Sequence, residues 1–199
     1  MKRITIALFV LALSLAACAA PAPETPATLP AENLPSATEP VPQGKLSAPP
    51  FESQTYINEE VGFALDYPAQ WTLKESTVGD RGSETLLLSK PEIADLATLP
   101  TGETRVAVTV YQWDPQNDLA AFVATRKSAW EASGFTILDE EPLTLDLGLS
   151  AVRFTVQSPD GLTSLFQFAA IGDQYLSISG EGDLTLVQAI MRYLRPISK

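Results

Sequence analysis

Carboxylates are the side chains through which this sequence could carry out acid–base chemistry. Its 199 residues include 24 acidic and 13 basic side chains, no histidine and one cysteine. Without histidine there is no Ser-His or Cys-His nucleophile pair and no imidazole metal ligand. One cysteine allows neither an intrachain disulfide nor a zinc site built from several thiolates. The net charge of −11 argues against nucleic acid as a partner, because binding phosphates needs clustered cations.

Two sets of carboxylates are prominent, and neither predicts catalysis. Asp139-Glu140-Glu141 is a run of three, and Glu181 and Asp183 lie near the predicted end of a strand. Two carboxylates held together with one pKa raised could act as acid and base, but this spacing does not require such a pair. We expect the run of three to lie in a solvated loop. No Gly-x-Ser-x-Gly elbow or phosphate-binding glycine loop occurs, so we expect no catalytic residues, no bound cofactor and no enzymatic activity.

Calcium is the metal that the acidic residues could hold. Two groups of oxygen-bearing side chains lie close together in the sequence: Asp114, Asn117 and Asp118, and Asp173, Glu181 and Asp183. Neither group matches the helix-loop-helix calcium pattern. Turn formation and helix capping explain both groups without a metal, so we predict no metal ligands and keep weak calcium binding as an alternative.

Three aromatic residues could line a ligand surface. Trp113 and Tyr111 lie at the end of a predicted strand, and Trp130 lies on a predicted helix. Aromatic side chains at strand ends and on helix faces more often belong to the core. We therefore interpret these residues as core.

The beginning of the chain has the features of a secretory signal peptide. Met1-Lys2-Arg3 is cationic, and residues 4–17 are apolar apart from Thr5 and Ser14. A helix that spans a bilayer needs about 20 apolar residues, and a proline-rich tract follows this shorter stretch at once. That tract disfavours the alternative, a buried helix of the folded domain. We predict that residues 1–17 are a signal peptide.

Cys18 is the predicted site of lipid attachment. Leu15-Ala16-Ala17-Cys18 resembles the bacterial lipobox, in which a leucine and two small residues precede the modified cysteine. The resemblance implies that the thiol receives diacylglycerol, that the signal is cut before Cys18, and that the new amino terminus is acylated, with palmitate as an expected chain. Each buried methylene contributes about 0.8 kcal/mol, so two or three chains anchor a protein durably. The alternative is an ordinary signal peptide with an incidental cysteine.

The residue after the cysteine bears on which membrane holds the protein. Ala19 stands where many such lipoproteins carry the aspartate that retains them in the inner membrane. The resemblance therefore favours an outer membrane if the cell has one. We expect an extracytoplasmic protein anchored by lipid to a bacterial cell membrane or outer membrane.

Residues 18–50 are predicted to be a disordered tether, and residues 51–199 a single domain. Prolines interrupt alanine, threonine, serine and glutamate throughout the first segment, and almost nothing there could fill a core. At about 3.1 Å per residue, a polyproline II spacer could hold the domain up to ~100 Å from the membrane. A proline-motif ligand for an SH3-like partner is the alternative.

The domain has the pattern of an α+β fold. Alternating or apolar runs predict strands at 62–67, 71–77, 84–89, 105–113, 143–147, 151–157, 162–171 and 175–179. One helix is predicted between an Asn117 or Asp118 cap and Gly134, and a second begins with the capping-box spacing of Thr185 and Gln188. Hairpin-linked strands with two separated helices indicate a largely antiparallel sheet.

The start of the domain resembles a known family. Tyr56-Ile57-Asn58, then Gly62 to Pro68, then Trp71 is similar to the opening of the PsbP-like family, which is named for an extrinsic protein of photosystem II and includes many bacterial lipoproteins. The resemblance implies a sandwich in which helices cover both faces of an antiparallel sheet. These residues also have a purely structural interpretation as core and strand terminator, so no photosynthetic function is carried over.

The sequence therefore favours a tethered binding module. A lipid anchor, a long spacer and a compact acidic domain suit a device that searches a volume near the membrane for a protein or envelope component. The alternative is an accessory that captures a small ligand for transport or sensing. A broad exposed apolar patch would favour the first, and a deep aromatic-lined pocket the second.

Overall fold

The computed structural model describes residues 48–77, 84–112 and 118–197. The predicted signal peptide, Cys18 and most of the predicted tether lie outside the described residues. So do the predicted turn at 79–82 and residues 113–117, which include Trp113, Asp114 and Asn117.

Across these residues the chain forms ten strands and two α-helices. The strands are β1 (Ser53–Asn58), β2 (Phe63–Pro68), β3 (Thr72–Thr77), β4 (Glu84–Ser89), β5 (Arg105–Gln112), β6 (Thr136–Thr144), β7 (Ser150–Gln157), β8 (Thr163–Ile171), β9 (Gln174–Glu181) and β10 (Arg195–Pro196). The helices are α1 (Leu119–Ala132) and α2 (Leu184–Arg192). Neither of these helices in the described part of the chain is long and apolar enough to cross a bilayer.

The strands of the described residues pair into two sheets. The larger sheet has the order β3-β4-β5-β9-β8-β7-β6, and the smaller sheet has the order β1-β2-β10. The pairings within both are antiparallel. The predicted α+β class with a largely antiparallel sheet is confirmed, whereas the smaller sheet was not expected.

The smaller sheet is held by one ion pair as well as by its backbone ladder. Asp66 of β2 accepts bonds from Arg195 of β10, with Nη1–Oδ2 and Nη2–Oδ1 both at 2.9 Å. The same carboxylate accepts a 2.6 Å bond from the Thr55 hydroxyl of β1. The side chains of Arg195 and Asp66 are largely buried, so a fork-shaped pair there joins all three strands.

The prediction for the region of β6 was wrong both in the bounds of the strand and in placing the acidic run 139–141 in a loop. The expected strand at 143–147 and the expected loop at 139–141 are one strand, Thr136–Thr144, followed by a 3₁₀ turn at Asp146–Gly148. β6 is one of the two edge strands of the larger sheet, and most of its residues are exposed. An edge strand loses the apolar alternation, and charge and proline suit it, which is why Pro142 and the carboxylates concealed it.

The larger core cluster packs α2 against both sheets. Val187, Ile190 and Met191 of α2 are fully buried and join Leu165 and Ala169 of β8. Side chains of β2, including Phe63 and Leu65, belong to the same cluster.

The smaller core cluster is aromatic and contains α1. Trp130 of α1 contacts Phe154, Phe166 and Phe168, with ring centroids 4.7 to 5.8 Å apart. Asp118 caps the helix by accepting from the Ala121 amide at 2.8 Å, and Gly134 follows its end with φ +78°. Both predicted ends of this helix are confirmed.

The predicted capping box of α2 is wrong. Asp183 is the N-cap, and its Oδ1 accepts from the amides of Thr185 at 2.9 Å and Leu186 at 3.3 Å. The helix therefore begins before Thr185, so Thr185 and Gln188 lie inside it. Their side chains are left on the surface of the helix, where they line the site described next.

Candidate binding cleft beside the second helix

Most of the carboxylates considered from sequence are paired or used as caps. Glu140 forms an ion pair with Lys127 of α1, and Glu141 forms one with Arg153 of β7. Glu181 accepts from Arg105 at 2.7 Å. Glu140 and Glu141 are neighbours on β6 and Glu181 lies on β9, and each belongs to a different ion pair.

The acids considered for calcium also take separate positions. Asp118 and Asp183 cap different helices, and Asp173 is exposed in the hairpin between β8 and β9. Within the described residues, no three or more histidine, cysteine, aspartate or glutamate side chains are grouped to hold a metal ion. Asp114 and Asn117 lie outside that part of the chain.

The two described aromatic candidates pack against other side chains. Trp130 belongs with the smaller core cluster. The ring centroids of Tyr111 and Phe122 are 5.3 Å apart. The guanidinium of Arg126 stacks over the Tyr111 ring, 4.3 Å from its centroid. The core interpretation of Trp130 is therefore confirmed, and Tyr111 is a half-buried neighbour of α1.

A cleft beside α2 combines charge with an apolar wall. We call it the α2 cleft; its volume is about 450 Å³, within the range typical of small-molecule sites. The residues that line it are Pro50, Leu143, Thr144, Leu145, Asp146, Arg153, Thr185, Gln188, Ala189, Arg192 and Tyr193.

Helical spacing places one stripe of α2 along the cleft. The stripe consists of Thr185 and the residues three, four and seven positions after it, which are Gln188, Ala189 and Arg192. This spacing places all four on one side of the helix. The buried residues Val187, Ile190 and Met191 occupy the side that enters the core. The hydrophobic packing of α2 therefore fixes which polar groups face the cleft.

Arg153 lies beside this stripe on strand β7. Its side chain is 15% exposed, and Glu141 holds it from the rim of the sheet. The Gln188 side-chain oxygen accepts from Arg153 Nη1 at 3.1 Å and from Nη2 at 2.9 Å, with the amide in the orientation that satisfies both groups. These contacts fix the guanidinium between β6, β7 and α2.

Arg192 is the second guanidinium of the cleft. It lies in the last turn of α2, and within the described residues it makes no hydrogen bond or ion pair. Its position four residues after Gln188 places it one helical turn along the same stripe. Its donors are therefore available to a bound molecule.

The loop opposite α2 is held in an unusual conformation. Leu147 has φ +64°, a left-handed conformation that is rare for a residue with a bulky side chain, and its side chain is 47% exposed. Beside it, Asp146 Oδ2 is buried without a hydrogen-bond partner among the described residues. Strained backbone residues cluster at functional sites, and a buried polar atom without a partner calls for a specific explanation.

Two hydrogen bonds tie the end of α2 to the chain around it. Gln167 of β8 pairs in register with Arg153, is buried, and donates from Nε2 to the Met191 carbonyl at 3.0 Å. Tyr193 donates from its hydroxyl to the Ala48 carbonyl at 3.0 Å, and its ring contacts Phe51 edge to face. The described beginning of the chain is thus held against the end of α2.

The pKa shifts resolved among the described residues belong to groups outside the α2 cleft. Burial raises the pKa of Tyr67. A hydrogen bond from Ser158 lowers the pKa of Asp160, and a hydrogen bond and ion pair with Glu103 raise the pKa of Lys90. These residues do not line the cleft, so the case for the cleft rests on its geometry and donors.

A second, smaller hollow lies on the larger sheet. Its volume is about 300 Å³, and the Arg105–Glu181 ion pair occupies one side of it. Leu87, Ala107 and Phe166 contribute its apolar surface. Because its arginine is already paired and bonded to the Leu96 carbonyl at 2.9 Å, it offers fewer free donors than the α2 cleft.

Sequence reasoning missed Arg153, Gln188 and Arg192 as site residues. The stripe on α2 was readable from helical spacing once the correct cap was known. Arg153 could have been noticed only as a charged residue within the largely apolar run 151–157, which is a weak indication of a site. Its partners come from β6 and α2, and that juxtaposition depends on the tertiary fold.

Comparison with known proteins identifies the fold. No family model matches this sequence, and no characterised protein matches it by sequence. The structure is similar to the solution structure of cyanobacterial PsbP (CyanoP) from Synechocystis sp. PCC 6803, with a TM-score of 0.55 and 13% identity over 72% of this chain and 92% of that one.

Two further structures share weaker similarity. A Pseudomonas aeruginosa protein of unknown function, PA94, gives a TM-score of 0.47 at 18% identity, covering 74% of this chain and 99% of its own. The Saccharomyces cerevisiae Ran-binding protein Mog1p gives 0.43 at 14% identity, covering 74% and 97%. The CyanoP similarity, with the highest TM-score of these three, establishes a PsbP-like fold.

Proposed function

We propose that this protein with a PsbP-like fold is a lipid-anchored extracytoplasmic module that binds another protein or an envelope component and catalyses no reaction. The observation that carries the proposal is Cys18 after Leu15-Ala16-Ala17, between an apolar leader and a proline-rich tract. Such a cysteine suits acylation, and the tract suits a tether. On this proposal the mature protein begins at Cys18 and reaches its partner from a bacterial membrane.

We also propose that α1 and α2 cover opposite faces of the larger sheet. Successive residues of a strand point to opposite faces. Leu165 and Ala169 of β8 belong to the cluster that contains α2, whereas Phe166 and Phe168 belong with α1. The α2 cleft would then open on the face that α2 partly covers.

A second candidate function is the capture of a small ligand for transport or sensing. The observation that favours it is the α2 cleft, whose volume of about 450 Å³ is suitable for a small molecule. Its lining includes one aromatic side chain, Tyr193, so it differs from a pocket lined by several aromatic rings. This candidate is compatible with the same lipid anchor.

Detergent partitioning of Cys18→Ala tests the anchor. We expect the wild-type protein in the membrane fraction and in the detergent phase, and the variant to leave both because it has no thiol to acylate. Ala19→Ser is the matched control: it changes the neighbouring residue, keeps the thiol and should stay membrane-bound. An unchanged membrane fraction for Cys18→Ala would contradict the anchor.

Site-specific crosslinking in cells tests the binding role. A photoreactive residue would replace Thr185 at the α2 cleft, Ser128 on α1 or Leu162 in the β7–β8 turn, all of which are exposed. If the protein binds a partner, we expect one of these positions to give a crosslinked adduct of discrete mass. We expect that adduct to be lost when the same position is tested in the Cys18→Ala variant. No discrete adduct from any position would contradict a binding module.

A further inference from the structure

We propose that the α2 cleft binds a small amphipathic anion, an apolar body that carries one carboxylate or phosphate group, through Arg153 and Arg192. This inference goes beyond the anchored binding role and rests on the second candidate function, small-ligand capture, for which it specifies the ligand class. Because it concerns only the folded domain, its test does not depend on whether Cys18 is acylated.

The donors that remain free in the cleft favour an anion. Arginine has five N–H groups. Arg153 uses one on Glu141 and two on Gln188, which leaves its Nε–H and the second Nη1 hydrogen. Arg192 has no partner within the described residues. A carboxylate or phosphate matches the geometry of such donors and forms charge-assisted hydrogen bonds with them.

The arrangement also disfavours a cationic ligand. A cation would meet two guanidinium groups, and the acidic residue in the lining is Asp146. One oxygen of that carboxylate is covered by protein atoms. Glu141 is already paired with Arg153. Although the net charge of the protein is −11, two arginines and one aspartate line this cleft.

The apolar wall sets the other half of the ligand. Leu143, Leu145 and Ala189 line the cleft together with the ring of Tyr193 and the ring of Pro50. The lining therefore combines two guanidinium groups with these apolar side chains, which favours a molecule that has both an apolar body and one charged end. The volume of about 450 Å³ admits a compound the size of an arylalkanoic acid.

The test is a titration of the full-length mature protein in a non-ionic detergent, followed by backbone amide NMR. The probes are 3-phenylpropionate, phenyl phosphate and the neutral 3-phenylpropanamide. We expect both anions to shift the amides of Thr185, Ala189 and Arg192 and to bind at least about tenfold more tightly than the amide, as charge-assisted bonds require. Tighter binding of the carboxylate or of the phosphate would identify the preferred head group.

Variants separate the cleft from general charge effects. Arg192→Gln should weaken anion binding about tenfold and leave the affinity for the neutral amide unchanged; the side chain is exposed, so the fold should tolerate the change. Arg126→Gln on α1 removes the same charge away from the cleft and should have no effect. Equal affinity for anions and amide, shifts outside the cleft, or anion binding insensitive to Arg192→Gln would overturn the proposal.

Discussion

At the scale of single residues, the packing of α2 on β9 leaves no space for a side chain at Gly180. A Cβ atom added there would lie 2.8 Å from Val187 Cγ2, closer than carbon atoms pack. Val187 itself is fully buried. The glycine therefore allows the helix to approach the strand, and with it the stripe that lines the α2 cleft.

Gly180→Ala should lower the free energy of unfolding by about 1–3 kcal/mol, the usual cost of overpacking. The measurement is chemical denaturation followed by far-UV circular dichroism. Combining it with Val187→Ala should restore space, so the double variant should lose less stability than the sum of the two single variants. Strict additivity would show that Gly180 does not act through Val187.

Tyr67 predicts a loss of stability at alkaline pH. Burial raises its pKa in the folded protein, so the unfolded chain loses the phenolic proton first. The stabilisation is complete below about pH 10, the pKa of an unperturbed tyrosine, and is lost as pH rises through the folded pKa. Tyr67→Phe should flatten this part of the stability–pH curve. An identical slope in both proteins would contradict this role.

At the scale of elements, the sequence predicted those whose apolar periodicity is set by burial. β2, β4, β5, β7 and β8 lie close to their expected bounds because each contributes to a core. β6 was misassigned because an edge strand is stabilised by its ladder to β7 rather than by burial. β1 was missed for the same reason: its residues are mostly exposed.

The start of α2 gives a direct test of the corrected cap. Asp183→Ala removes the acceptor of two amide hydrogen bonds and should cost about 1 kcal/mol of unfolding free energy. Thr185→Ala should cost less, because Thr185 lies inside the helix. Thermal or denaturant unfolding measures both. A larger loss for Thr185→Ala would restore the capping box predicted from its spacing with Gln188.

At the scale of the whole molecule, the sequence offers predictions for the anchor and the tether but not for the candidate cleft. The leader, the thiol and the proline-rich tract are local patterns that can be read along the chain. The α2 cleft is assembled from β6, β7, α2 and the chain around Pro50. Arg153 and Arg192 line one cleft only because the tertiary fold brings β7 and α2 together, and no local spacing in the sequence indicates this.

The account depends most on Cys18, and the intact mass of the mature protein tests it directly. The protein would be extracted from the membrane fraction of the producing bacterium and analysed by mass spectrometry, with fragmentation of its amino terminus. We expect a chain that begins at Cys18 and carries diacylglycerol on the sulfur and an acyl group on the amine. A mature chain that begins elsewhere, or an unmodified Cys18 sulfur, would contradict the central claim.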